Sequence, residues 1–186
     1  MSYTLNMHFP QNFPILKVGK YLLRQTKKSD AKFYFQYLTD PETIRFTSYN
    51  VQNILEIEQW FLDYKKQFCA SKRISWVIEE IETGDFLGEI SFFDVSVEHN
   101  KGEMGFFPGK QYWNRGIMSQ VSRAILNYVF GTMKIHRVQS ISMSKNVGSR
   151  RLLEKNKFRE EGVLRNYKLC RGKYCDFVLY SRIAAK

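Results

Sequence analysis

The chain of 186 residues is 44% apolar and 16% aromatic, the composition of one folded domain and not of a disordered segment. Lys and Arg number 29 against 18 Asp and Glu, a formal charge of +11. That field favours anionic partners (nucleic acid, an acidic membrane face or a phosphate-rich cofactor) without choosing among them. No run approaches the roughly 18 apolar residues of a membrane span, and the N-terminus lacks the basic start and apolar block of a signal peptide. The expectation is a cytoplasmic protein with no membrane partner. Cys69, Cys170 and Cys175, with His8, His99 and His136, have no metal-ligand spacing, so neither a disulfide nor a metal is expected.

Residues 1–19 read as an irregular lead-in, and 20–186 as a single domain. "KYLLRQTKK" (20–28) reads as a short strand, and Ser29-Asp30 as the cap of a helix over "AKFYFQYLT". Ile54, Ile57, Trp60, Phe61, Tyr64 and Phe68 recur at three and four residues, one face of a second helix. Trp60 and Trp76 are expected in the core, while Tyr49 and Asn50, just before that helix, are placed to reach a substrate groove. "RISWVIEEIETGDFLGEISFFDV" carries the turn signal Thr83-Gly84-Asp85 between two strand-like runs, hence a hairpin. "KGEMGFFP" (101–108) reads as a further strand ended by Pro108-Gly109.

Ile117, Val121, Ile125 and Val129 fall every fourth residue and predict an amphipathic helix over about 115–130. "HRVQSISM" (136–143) is a strand, Ser149 to Lys155 a short helix with Leu152 and Leu153 inward, and two strands joined at Arg171-Gly172 complete the chain. Hairpins combined with one strand–helix–strand unit give the α+β class.

"YWNRGIMSQVSRAI" (112–125) places Asn114-Arg115-Gly116 at the mouth of a helix. The first backbone N–H groups of a helix have no internal partner and carry the positive end of its dipole. Gly116 permits close approach of an anion, and Arg115 and Lys110 add charge. With "EMGFFPGKQYWNRGIMSQVSRAILNYVF", "IHRVQSISMSKNVGSRRLLEKNKFREEGVLRNY" and "GKYCDFVLYS", the chain from about residue 20 resembles the GNAT superfamily of acetyl-CoA-dependent N-acetyltransferases. Within it the likeness is to the RimJ/RimL-type enzymes that acetylate ribosomal-protein N-termini.

The resemblance implies a mixed, mostly antiparallel sheet flanked by helices and opened between two central strands to admit CoA. The family pattern Arg/Gln-x-x-Gly-x-Gly/Ala falls on residues 113–118, with only Gly116 kept and Met118 where a small residue is usual. It implies that Trp113, Asn114, Arg115, Gly116, Ile117, Met118 and Ser119 cradle the pyrophosphate. Phe106 and Phe107 would line the opened strand. Asn146 and Ser149 match the Asn-x-x-Ser under the pantetheine arm; read without the family, both also fit a helix cap. Where the family has Gly before Phe158 stands Lys157, so either Asn156 or Lys157 must make the turn.

Acetyl transfer to an amine requires a neutral amine, a polarised carbonyl, N–H donors for the oxyanion and help for the departing thiolate. The resemblance implies direct attack, so the cysteines are not nucleophiles. Glu103, on the strand leading to Pro108, is the first candidate base, and Glu89, in "GEISFF", is its rival. The general acid is unassigned: Leu153 stands where many relatives have Tyr, leaving Ser149 and Tyr167 as candidates. His136 fits a helix-end or packing role better than that of a base. The first functional reading is acetyl-CoA:amine N-acetyltransfer to a protein N-terminus, with ribosome association suited to the basic surface. Acetylation of a small amine (polyamine, aminoglycoside or amino acid) is the alternative, the charge disfavouring polycations. A nucleic-acid-binding module and a CoA-binding sensor without catalysis are the non-enzymatic readings. A homodimer is left open.

Overall fold

A computed structural model describes residues 7–185. Its centre is an eight-stranded sheet of β1 (Leu16–Val18), β2 (Tyr21–Arg24), β3 (Arg73–Glu80), β4 (Phe86–Ser96), β5 (Lys101–Pro108), β6 (Arg137–Met143), β7 (Arg159–Cys170) and β8 (Lys173–Ile183). Their order in space is β1-β2-β3-β4-β5-β6-β8-β7. The helices are α1 (Ala31–Thr39), α2 (Pro41–Ile44), α3 (Ile54–Cys69), α4 (Ile117–Gly131) and α5 (Val147–Lys155). The α+β class and the mostly antiparallel sheet hold.

All adjacent strands pair antiparallel except β5 and β6. Those two run parallel and are joined through α4. Only three pairs link them: Lys101 with Arg137, Gly102 with Val138 and Glu103 with Gln139. Beyond Glu103 the strands part. β5 stays bound to β4 as far as Pro108 opposite Gly88, and β6 stays bound to β8 through Met143. The parting is therefore confined to one seam.

Strand alternation divides the apolar side chains between two layers. On one face Ile74, Trp76, Ile78, Ile90, Phe92 and Met104 pack against Val121, Ile125 and Val129 of α4. On the other, Val77, Phe86 and Phe107 meet Tyr34, Tyr37 and Leu38 of α1 and Ile57 of α3. The expected lead-in contains β1, too short for a periodic signal, and its Pro14 carbonyl accepts the Trp76 indole N–H at 2.7 Å. The four-residue α2 was also not anticipated.

Two local expectations change. Asp30 does not cap α1 with its side chain; its carboxylate takes both Arg24 guanidinium nitrogens at 2.7 and 2.8 Å, while Arg24 Nε reaches Glu79 at 2.6 Å. A buried charge needs this complete pairing more than the helix needs a cap. The turn after α5 is made by Lys157, at φ 64°. The Phe158 N–H bonds the Leu153 carbonyl and the Lys157 N–H that of Glu154, a closure that wants glycine in the left-handed position. Buried Asn156 instead donates its side-chain amide to Leu152.

A left-handed non-glycine residue carries roughly 1–2 kcal/mol of strain, against roughly 0.5–1 kcal/mol of extra chain entropy lost by a glycine on folding. Lys157→Gly is therefore expected to raise stability by about 0.5–1 kcal/mol, seen as a higher urea midpoint at unchanged slope.

Candidate active site

The seam opens beside the N-terminus of α4. Gly116 is the helix N-cap at φ 75°, with no side-chain cap and no acidic residue in the first turn. By contrast α2, α3 and α5 are each capped by an Asp or Asn side chain. The first backbone bond of α4 runs from Gln120 N–H to the Gly116 carbonyl, which leaves the N–H groups of residues 117–119 as the helix's orphan donors. A Cβ built on Gly116 would meet nothing within 4 Å, so the mouth is open. The buried Ser119 hydroxyl in this first turn has no partner. Uncapped donors, open space and an orphaned hydroxyl fit a phosphate-bearing group.

The loop into this helix is held from below. Trp113 Nε1 donates to the Pro108 carbonyl at 3.1 Å, fastening the loop to the last residue of β5. Asn114 takes a left-handed φ of 59°, which Asn tolerates better than most residues. The Arg115 guanidinium lies 5.7 Å from the Tyr112 ring. Met118 and Ile117 are buried in the core between α4 and the sheet, so Met118 does not fill the loop. Lys110 does not add charge to this mouth: its ammonium binds Asp40 at 2.8 Å, and the N-cap of α2 holds it there. Across the seam, the Asn146 side chain accepts the Ser149 N–H at 3.1 Å. The capping role is the one seen for Asn146; the Ser149 hydroxyl is half-exposed.

The sheet face under the opening carries a polar lane. Glu89 on β4 lies opposite Phe107 of β5, Ser91 opposite Gly105, and Phe93 opposite Glu103. On the far side of β4, Arg73 faces Phe93 and Ser75 faces Ser91. Alternation thus puts Arg73, Ser75, Glu89, Ser91 and Glu103 on one face. They are joined: Arg73 Nη1 donates to Ser75 Oγ at 3.4 Å, the Ser75 and Ser91 hydroxyls lie 2.7 Å apart, and Ser91 donates to Glu89. The Tyr34 hydroxyl of α1 donates to the other Glu89 oxygen at 2.6 Å.

Glu89 is almost fully buried. Burial raises its pKa above the ordinary 4.5, opposed by the hydrogen bonds from Ser91 and Tyr34 and by the Arg73 charge. Glu103 stands at the last β5–β6 pair, and burial raises its pKa too, opposed by Lys168. Both carboxyls are thereby moved toward the range in which a base works near neutral pH. Tyr167 is half-exposed and packs edge-on against Phe177 at 5.9 Å. The Lys168 ammonium lies over both rings at 5.7 Å. Phe177 faces Met143, so Tyr167 stands by the end of β6 beyond the last β5–β6 pair.

Above the lane is a cleft of ≈ 190 Å³ lined by Tyr49, Trp60, Asp63, Tyr64, Gln67 and Arg73. Trp76 is core as expected, but Trp60 is half-buried and forms the cleft wall against Tyr49, ring centroids 5.6 Å apart. It also packs against the core layer of Tyr34, Ile57 and Phe107. Asn50 is exposed and pairs with Gln52. His136 is exposed, and its backbone N–H binds Asn100. Leu153 is fully buried. Sequence reasoning missed Tyr34, Ser75, Ser91 and Arg73. The signal was polar residues at alternate positions of otherwise apolar strands, "RISWV" and "GEISFF".

Residues 20–159 match the family model of the acetyltransferase (GNAT) domain. The chain belongs to the GNAT acetyltransferase family. It is therefore an N-acetyltransferase. It is 30% identical over 172 residues to the uncharacterized N-acetyltransferase YoaA of Bacillus subtilis, covering 91% of this chain and 96% of that one. Among solved folds, RimL, a ribosomal-protein α-N-acetyltransferase determined with coenzyme A, superposes with a TM-score of 0.84 at 19% identity, covering 92% of this chain and 98% of RimL. The spermidine N-acetyltransferase of Vibrio cholerae, with CoA and spermine, gives 0.78 at 18% identity over 88% of this chain and 95% of that one. The sheet parted at one seam is thus the fold expected from the resemblance to RimJ/RimL enzymes.

Burial makes the charged form of Glu89 less favourable in the folded state than in the unfolded chain. Between the ordinary carboxylate pKa of 4.5 and the raised folded value, the folded protein binds more protons, so this group lowers stability as pH rises. Melting temperatures of Glu89→Gln and the parent are therefore expected to move in the variant's favour from pH 4.5 to pH 8, the reverse of a surface carboxylate in an ion pair.

Proposed function

We propose that this GNAT protein transfers the acetyl group of acetyl-CoA to the α-amine of a protein N-terminus. The observation that carries the reading is the parted β5–β6 seam, with the uncapped α4 N-terminus at one end and the Glu89–Glu103 lane beneath. The N–H groups of residues 117–119 and the Ser119 hydroxyl would hold the pyrophosphate. Trp113, Asn114 and Arg115 shape that loop, and Asn146 and Ser149 form the opposite wall. The unpaired edge of β5 at Phe106 and Phe107 offers backbone donors toward the carbonyl. Acetyl-CoA supplies the activated acyl group.

The amine nitrogen bonds the acetyl carbon and the C–S bond breaks, CoA leaving as its thiolate; the amine proton goes to Glu103 at the seam or, as the rival route, through Ser75 and Ser91 to Glu89. An α-amine has a pKa near ~8 against ~10.4 for a lysine. About a tenth of it is neutral at pH 7, within reach of a carboxylate base, whereas an alkyl ammonium is more than a hundredfold less available. Cys170 is buried and its thiol is raised in pKa by that burial, which suits direct transfer without an acyl-cysteine. The net charge of +11 suits an acceptor presented on a ribosome, and no helix of the described residues is long and apolar enough to cross a membrane. A cytoplasmic location follows from the same reading. A small-amine acceptor is the second reading, favoured by the fold likeness to the spermidine enzyme; the Arg73 guanidinium in the cleft opposes a polycation.

Calorimetric titration of acetyl-CoA is expected to show binding by the parent and none by Gly116→Asp. Asp caps a helix well and tolerates the left-handed region, so that variant should fold while repelling phosphate. Parent protein that fails to bind acetyl-CoA would overturn the reading. With an N-terminal peptide as acceptor, Glu103→Gln is expected to lower kcat by roughly 10²–10⁴-fold and Glu89→Gln by at least tenfold, with acetyl-CoA affinity unchanged.

A further inference from the structure

Among the half-buried and buried arginines of the described residues, Arg73 and Arg182 have no carboxylate partner; Arg182 lies over the Phe130 ring at 5.3 Å and donates to the Asn156 carbonyl at 3.1 Å, whereas Arg73 lines the cleft. Arg24 is paired with Asp30 and Glu79, Arg137 with Glu161, and Arg150 with Glu160. Arg73 has no carboxylate of the described residues within 4.0 Å. Its guanidinium lies against two rings, 4.8 Å from the Tyr64 centroid and 4.6 Å from that of Phe93. Nε binds Gln67 at 2.9 Å and Nη1 makes a long contact to Ser75. Two rings and two hydrogen bonds fix the guanidinium, Nη2 makes no hydrogen bond among the described residues, and Arg73 lines the cleft. A rigid, pre-oriented guanidinium fork without a carboxylate is matched to one.

Its place relative to the reaction is set by register. Arg73 and Glu103 both lie opposite Phe93, one on each side of β4. Their backbones are therefore two strand spacings apart, about 10 Å. An amine beside Glu103 and a carboxylate at Arg73 is the span of an N-terminal residue followed by an acidic side chain. Asp63, the acidic residue of the cleft wall, already accepts Gln59 and lies 3.7 Å from Lys66, so it is not positioned to neutralise Arg73.

We propose that Arg73 is a specificity-determining residue that reads a carboxylate carried by the acceptor, selecting amines with an acid nearby and rejecting polyamines. This rests on the N-acetyltransferase reading of the seam and adds the acceptor's chemistry to it. The carboxylate has two sources, an acidic side chain near a peptide N-terminus or the α-carboxylate of a free amino acid.

The test compares kcat/KM for C-terminally amidated peptides differing only in Glu, Gln or Lys at the second position, and for free amino acids against their amides, each in the parent, Arg73→Gln, Arg73→Lys and Arg73→Glu. The parent is expected to prefer the Glu peptide over the Gln peptide by roughly tenfold to a hundredfold. Arg73→Gln should erase that ratio, Arg73→Lys should keep part of it, and Arg73→Glu should turn it toward the Lys peptide. A ratio taken within one variant is unaffected by the fraction folded. Preference for the free acid over its amide, without preference among peptides, would support the role of Arg73 and overturn the protein N-terminus as acceptor. Equal rates for Glu and Gln peptides and for acids and amides would overturn the role of Arg73 and leave N-acetyltransfer standing. Acetylation of none of them would overturn both.

Discussion

The three-pair ladder between β5 and β6 is the constraint on which the rest depends. A parallel pair held only at Lys101, Gly102 and Glu103 leaves the remaining backbone of β5 free on one edge. Unpaired backbone donors inside a protein call for a partner, and here the partner can be a ligand. The connection from β5 to β6 through α4 brings the helix N-terminus to the same gap. Open strand edge and orphan helix donors are consequences of one topological choice. The cores on both faces keep the gap in place: α4 is packed on one side, α1 and α3 on the other.

The electrostatic design follows from where that gap lies. Glu89 is buried, which opposes ionisation and lowers stability as pH rises, while the hydrogen bonds from Tyr34 and Ser91 offset only part of that burial. Such a group is poorly explained by folding alone, since an apolar residue would pack there without desolvation. Perturbed carboxyls at a cleft are the usual mark of acid–base chemistry. The positive charge of the chain and the mouth of α4 favour anions, while the lane sets two carboxyls, buried Glu89 and half-buried Glu103, beside the seam. Arg73 divides the two fields at the wall of the cleft.

Much of this was readable before the fold was known. The Thr83-Gly84-Asp85 turn, the three–four spacing of α3 and the glycine at the mouth of α4 are local signals, and each marks what the structure places there. The Asn146 motif was legible as well, although its capping contact shows only in three dimensions. The lane was not legible, because it depends on register across three strands. Arg73, Ser91 and Glu103 are far apart in sequence, and nothing local says that Phe93 stands between Arg73 and Glu103. Lys110 read as a free charge because Asp40 lies 70 residues away. Trp60 read as core because periodicity identifies a helix face without showing how far the neighbouring layer extends. The β1 strand of three residues is below the length at which alternation can be seen.

In the proposed enzyme the seam and the helix mouth form one binding surface for acetyl-CoA. Amide hydrogen exchange with and without acetyl-CoA tests it most directly. Slowed exchange is expected at two separate stretches, Met104–Phe107 on β5 and residues 115–119 at the start of α4. The amides around the Arg24–Asp30 anchor should be unchanged. Protection confined to other surfaces, or none at either stretch at saturating acetyl-CoA, would contradict it.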